Sequence, residues 1–205
     1  MGGEAWWEGL LVSKSIQDIF KDSLGMLEQD KYDEAVEGFT KLIDLHPIVI
    51  ASYIQRGRSH WEMNRWHKAH EDFEKALLHD PESADAKWTM GLMEMQLGNF
   101  RRGWKFYDER WNSPSFKSPA LKTKLPRWEP NKSYKSVLVW CEQGIGDQIL
   151  YGSLLGLLRQ YTEKVTVMMD IRLIGLFQRY EPNINFIPHS SKVKNSEYDS
   201  QIPIG

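Results

Sequence analysis

One recurrence constrains this chain more than any other feature. Ala35, Phe39 and Pro47 return as Ala69, Phe73 and Pro81, and Gly57 and Trp66 return as Gly91 and Phe100, all at a single shift of 34 residues. A period between about 20 and 50 residues marks stacked supersecondary units, none of which can bury its apolar face alone. In register the units run Ile16 to Val49, Ile50 to Ser83 and Ala84 to about Pro114, the last being degraded at its end. Each holds two helical stretches around a polar turn: Glu28 to Lys31, Glu62 to Arg65, and Gln96 to Asn99. Tyr32, Val36, Phe39 and Ile43, three and four apart, place one apolar stripe on the second helix. Pro47 and Pro81 end that helix, because proline has no amide hydrogen and restricts the residue before it. Small residues at Ser23, Gly57 and Gly91 are expected to face Ala35, Ala69 and Gly103 where the two helices cross.

Composition narrows the function classes. The 205 residues carry 28 acidic and 26 basic side chains for a formal charge of -2, which excludes a generally basic nucleic-acid binder. No apolar run reaches the roughly 18 to 20 residues of a membrane span, and Glu4 and Glu8 stand where a secretory signal is positive, so a cytoplasmic protein is expected. The single Cys141 allows neither an internal disulfide nor a multi-thiolate zinc site. His60, His67 and His70 gather in the second unit, but a metal needs a further ligand; no metal site is assigned.

The small residue, the aromatic after the turn, the alanine, the second aromatic and the proline together resemble the tetratricopeptide repeat family, over about half the chain. The third unit departs from the pattern, with Gly103 for alanine and no terminal proline. The resemblance implies a right-handed superhelix whose concave wall is built from the first helix of each pair. On that wall the register places Phe20, Leu24 and Leu27, then Ile54, Arg58 and Trp61, then Trp88, Leu92 and Met95. Family members that hold acidic chaperone tails do so with Lys and Asn; Phe20 and Leu24 at two of those positions argue against such a carboxylate clamp. The wall is expected either to receive an apolar or aromatic peptide of a protein partner, or to be covered by Trp6, Trp7, Leu10 and Leu11 or by the following domain.

The organisation expected is an N-terminal segment (1–15), three repeats (16–112), a Pro-rich linker (113–135) and an incomplete α/β domain (136–205). Between Asn112 and Lys135 lie Pro114, Pro119, Pro126 and Pro130, with six basic residues against Glu129 alone, and Trp128 is expected to pin this linker to the α/β domain. Apolar runs predict strands at Ser136–Cys141, Lys164–Met169 and Asn185–Pro188. Helices are predicted at Gln148–Tyr161 and Ile171–Tyr180. Strands alternating with helices imply a parallel, Rossmann-like sheet with a ligand crevice at the strand carboxyl ends. Gly144 and Gly146 lie at such an end, although Ile149 stands where a third glycine would complete a dinucleotide fingerprint. Asp170 can either hold a ribose, as in nucleotide or S-adenosylmethionine domains, or cap the helix after it.

The string Pro126-Arg127-Trp128 and then Val137 to Ile149, containing Trp140-Cys141-Glu142-Gln143-Gly144-Ile145-Gly146-Asp147, resembles the entry to a GT-B-like glycosyltransferase domain that often follows tetratricopeptide repeats. Ser153 departs from the arginine common there. The resemblance implies Asp147 as candidate general base toward an acceptor hydroxyl on a glycan or protein, with Glu142 and Gln143 as hydroxyl binders. It implies a nucleotide-sugar donor held by a C-terminal half, and no tightly bound cofactor. The chain is expected to be a fragment or shortened relative without that half, inactive by itself; the alternatives are a non-catalytic repeat scaffold and a nucleotide or S-adenosylmethionine binder.

Overall fold

A computed structural model describes residues 4–204, with side chains from Ile16 onward. The chain divides into two compact units after Phe116. The first is helical: α1 (Glu4–Glu28) pairs with α2 (Tyr32–Leu45), α3 (Ile50–Glu62) with α4 (Trp66–His79), and α5 (Ala84–Gln96) with α6 (Phe100–Tyr107) and a short 3-10 turn at Asp108–Asn112. The first helix of each pair closes the same way. Asp30, Asn64 and Gly98, each 34 residues after the last, take positive φ of 60, 57 and 84°. The following amide reaches back to the carbonyl five residues earlier: Lys31 to Met26 (2.9 Å), Arg65 to His60 (2.8 Å) and Asn99 to Glu94 (2.8 Å). Asp, Asn and Gly are the residues that tolerate this left-handed position, so the polar turn is a repeated helix terminator.

Three apolar clusters hold the pairs together. Ala35, Phe39 and Leu42 pack with Ile16, Phe20, Leu24 and Leu27; Ile43, Tyr53, Ile54, Ala76 and Ala86 link the first and second pairs to α5; Ala69, Phe73, Met90 and Met93 take Trp61 and Phe106 at their edge. The small positions act at the crossings, though not always against the partner expected. At the last crossing a Cβ on Gly91 would lie 2.7 Å from the Tyr107 nitrogen and 3.0 Å from the Gly103 oxygen, so there the two backbones touch as the register implies. Gly57 instead faces the Phe73 ring, 2.5 Å from where its Cβ would stand, and Ser23 faces Gly38. Buried charge adds cross-links: Asp72, 2% exposed, takes the fork of Arg56 at 2.7 and 2.9 Å, and Arg56 also donates to the Thr40 hydroxyl (3.0 Å). Glu94, 1% exposed, joins Arg102 (2.8 Å), Asn99 (2.7 Å) and His70 (3.3 Å), tying α4, α5 and α6.

The second unit is a four-stranded parallel sheet in the order β3-β2-β1-β4, from β1 (Tyr134–Cys141), β2 (Thr162–Met169), β3 (Asn185–Pro188) and β4 (Ser200–Ile204). α7 (Ile145–Gly152) and α8 (Leu155–Leu158) lie between β1 and β2, and α9 (Ile171–Tyr180) between β2 and β3. Val137, Val139, Cys141, Val165, Val167 and Met169 pack with Leu155, Leu173 and Phe177 in one core. The intervening Leu138, Trp140, Thr166 and Met168 are buried too, which is why these strands read as unbroken apolar runs.

Three sequence expectations change here. The single helix over 148–161 is broken after Gly152: the Ser153 hydroxyl donates to the Leu150 carbonyl (2.6 Å), and a Cβ on Gly152 would strike the Phe177 ring at 2.6 Å, so α7 stops where it abuts α9. β4 carries no strand signal, being short and containing Pro203. The Pro-rich stretch is no free linker up to Lys135: Pro126 accepts from the Gln201 amide (2.9 Å) and the Trp128 amide donates to the Gln201 carbonyl (2.8 Å), pairing 126–128 with β4 in parallel. Trp128 packs on the sheet core and edge-on to Tyr161 at 6.0 Å, as its expected pinning role requires.

Candidate functional site

Equivalent positions of α3 and α5 build a groove of about 480 Å³ in the helical unit. Ile54 lies beside Trp88 in register, Gln55 beside Thr89, and Arg58 beside Leu92. Trp61 closes the side toward the helix carboxyl ends, where its indole donates to Gln96 Oε1 (2.7 Å) and meets Phe73 edge-on at 6.4 Å. At the opposite end the chain folds back after the 3-10 turn. Ser113 donates to the Asp85 carboxylate, Ser115 lines the groove, and the Phe116 ring rests edge-on against Trp88 (5.4 Å) and Trp111 (5.1 Å).

Of the expected wall residues the structure brings Ile54, Arg58, Trp61, Trp88 and Leu92 together and leaves out the rest. Phe20, Leu24 and Leu27 pack on the Ala35–Phe39–Leu42 cluster, Phe20 edge-on to Phe39 at 5.6 Å. Met95 turns toward α6, its backbone nitrogen 2.9 Å from where a Cβ on Gly103 would be. Packed on that cluster, Phe20 and Leu24 offer no donor to a carboxylate. The expected cover by Trp6, Trp7, Leu10 and Leu11 lies outside the described side chains. Sequence reasoning missed Gln55, Thr89 and Asp85, although the same 34-residue register, read one position further round the helix, would have found the first two.

Arg58 is exposed, and its guanidinium has one partner, Gln55 Oε1 at 3.3 Å; it forms no ion pair among the described residues. The Trp88 indole nitrogen is shielded from solvent and has no hydrogen-bond partner. Burial lowers the pKa of His60, whose Nδ1 is likewise buried and unpartnered.

In the second unit Gly144 directly precedes α7, and the first α7 amide with an intrahelical acceptor is that of Gln148, donating to the Gly144 carbonyl (3.1 Å). Asp147 stands in the first turn, half-buried, with no hydrogen bond or ion pair among the described residues. Glu142 and Gln143 are half-buried beside it, and Gly146 is exposed. The residue that organises this loop, Gln148, carries no signal in the sequence. At 4% exposed, it donates from Nε2 to the Gln143 carbonyl (3.1 Å) and accepts at Oε1 from the Asp170 amide (2.9 Å), joining the ends of β1 and β2. Of the two roles open to Asp170, the geometry is that of the cap. Its Oδ1 accepts from the Arg172 amide (2.9 Å), the Arg172 fork closes on both oxygens at 2.9 and 2.7 Å, and this pairing holds the carboxyl far below its usual range. Burial pushes the Cys141 thiol up to about 12, which disfavours its thiolate.

Among the described residues no group of three or more His, Cys, Asp or Glu side chains is placed to hold a metal ion, and no helix is long and apolar enough to cross a membrane. The tetratricopeptide repeat family model matches residues 50–83. The E3 ubiquitin-protein ligase CHIP of Arabidopsis thaliana is 26% identical over 95 residues, 46% of this chain and 34% of that protein, so the chain spans about a third of its length. Two solved structures are similar. The Sgt2 tetratricopeptide domain of Aspergillus fumigatus has 18% identity and a TM-score of 0.44, covering 46% of this chain and 63% of that one. The first such domain of Spaghetti (RPAP3), bound to the HSP90 peptide SRMEEVD, has 21% identity and a TM-score of 0.44, covering 47% of this chain and 77% of that one. The family match falls on α3 and α4, so this helix pair is a tetratricopeptide repeat, and the 34-residue recurrence carries the same helix pair to either side.

Proposed function

We propose that the helical unit is a protein-interaction module that takes a peptide segment in the groove between α3 and α5. The observation that carries this reading is the groove itself: an apolar floor of Ile54 and Leu92 between two indoles, with an arginine that forms no ion pair among the described residues. Aromatic and arginine side chains supply most of the binding energy where proteins meet, the aromatics by burying large surfaces and arginine by its planar hydrogen-bonding fork. The plant relative is a ubiquitin ligase by name, and an adaptor role in which the repeats recruit a protein fits this groove. Affinity capture by the wild-type chain and by a Trp61→Ala, Trp88→Ala double variant, read by mass spectrometry, tests the proposal. Partners are expected to be lost from the variant, and identical recovery by both would sink it.

A second reading concerns the sheet. With the order β3-β2-β1-β4, the chain direction of travel reverses beside β1, and open parallel sheets bind ligands outside the strand ends at such a point. Gly144 to Asp147 lies there, which supports a Rossmann-like, glycosyltransferase-like unit with Asp147 as acceptor base and Glu142 and Gln143 as hydroxyl contacts. The Arg172 fork on Asp170 weighs against a ribose contact in a nucleotide or S-adenosylmethionine site. Titration with UDP, UDP-sugars and S-adenosylmethionine, read by amide shifts of Gly144 and Gly146, separates these; shifts absent with all three ligands refute a ligand loop.

A further inference from the structure

We propose that the groove's occupant is an internal peptide segment in which an aromatic side chain adjoins a side-chain carboxylate. The inference rests on the groove reading above and names its ligand chemistry. Phe116 supplies the first argument, since the chain already seats an aromatic edge against Trp88 at the end of the same groove. The floor beyond it, Ile54 and Leu92 up to the fixed ring of Trp61, continues that apolar slot and is unfilled by any described side chain. A second ring fits there as Phe116 fits beside it.

Charge supplies the next argument. Arg58 is the single cation among the described lining residues, one helical turn from Trp61 and opposite Leu92. Its one contact, to Gln55, leaves most of the guanidinium fork unfilled, and a planar fork matches a carboxylate with two parallel hydrogen bonds. A carboxylate at Arg58 stands directly beside a ring on the floor, which sets the adjacency of the two ligand groups.

The polar pair between the aromatics indicates a passing main chain. Gln55 uses its Oε1 on Arg58 and keeps its amide hydrogens, while the Thr89 hydroxyl donates to the Asp85 carbonyl (2.8 Å) and keeps its lone pairs. Together they offer one donor and one acceptor, the needs of a peptide unit. Glu62 and Asp85 stand at opposite ends of the groove and confine a ligand carboxylate to the neighbourhood of Arg58. A main chain that runs on past Gln55 and Thr89 makes that carboxylate an internal side chain.

The test uses the whole chain against a random 12-residue peptide library displayed between uncharged spacers, with a second library ending in a free carboxylate. Enriched internal sequences are expected to share Phe, Tyr or Trp next to Asp or Glu. One such peptide, acetylated and amidated at its ends, should lose about 10-fold in affinity when its acid becomes the amide. Arg58→Gln should weaken the parent peptide by about as much and the amide peptide less than about 2-fold, the non-additivity that marks a direct contact. Arg58→Lys, which keeps charge without the fork, should fall between. Enriched peptides without an acid, or an acid peptide indifferent to Arg58→Gln, overturn this inference and leave the groove reading standing. Enrichment confined to the free-carboxylate library also overturns it. Failure to enrich any peptide that depends on Trp61 and Trp88 overturns both.

Discussion

The tight helix crossing at Gly91 offers a quantitative check on the repeat packing. A Cβ there would stand 2.7 Å from the Tyr107 nitrogen and 3.0 Å from both the Gly103 oxygen and the Phe106 carbonyl carbon. All three are main-chain atoms of the α6 region, so no side chain can rotate away; α6 must shift to restore an ordinary contact of about 3.4 Å. Overpacking of this kind costs about 1–3 kcal/mol. Against it, alanine in a helix interior gains about 0.8–1 kcal/mol over glycine. Gly25, in α1, is the matched control, since a Cβ there meets nothing within 4 Å and carries only the favourable term. Gly25→Ala should therefore raise the helical unfolding transition, while Gly91→Ala should lie about 1–3 kcal/mol below it. For a domain of about 100 residues that is a separation of at least about 4 °C in Tm. Thermal and urea unfolding followed by far-ultraviolet circular dichroism measures both, and equal shifts in the two variants would refute the crossing argument.

Burial lowers the pKa of His60, so between its folded and unfolded pKa values the unfolded chain binds more protons; stability rises with pH up to about 6.5 and is lost below it. The urea midpoint of the wild type should fall between about pH 7.5 and about pH 5, and His60→Asn should flatten part of that slope. Asp72→Asn leaves Arg56 facing a neutral partner at a position 2% exposed and should cost about 3 kcal/mol, read from denaturant unfolding. Gln148→Leu strands the Asp170 amide and the Gln143 carbonyl; a loss of about 1–3 kcal/mol is expected, with faster amide exchange at Asp170. Gly98→Ala forces a side chain into φ +84° and should cost about 1 kcal/mol, whereas Asn64→Gly at φ 57° should be near neutral.

Local rules account for what the sequence alone determined. The 34-residue recurrence, the helix pairs and their proline stops depend on spacing along the chain, and so does α9, whose predicted bounds match those observed. β1 and β2 announce themselves because a parallel strand covered on both faces must be apolar throughout. The Asp30, Asn64 and Gly98 terminators are equally local, since left-handed backbone selects those three residue types wherever they sit.

Tertiary structure decided everything that required a distant partner. β4 is five residues long with Pro203 inside it, and it is a strand because β1 supplies one neighbour and residues 126–128 the other. Gln148 looks like any surface glutamine until the ends of β1 and β2 close on it. The groove shows the same division most clearly. Phe20 shares a register with Ile54 and Trp88, yet α1 turns it onto Phe39 while α3 and α5 turn their equivalents to the groove. A period states which residues are equivalent along the chain; which of them face a core and which face an opening depends on the element that packs against each, and no local spacing encodes that.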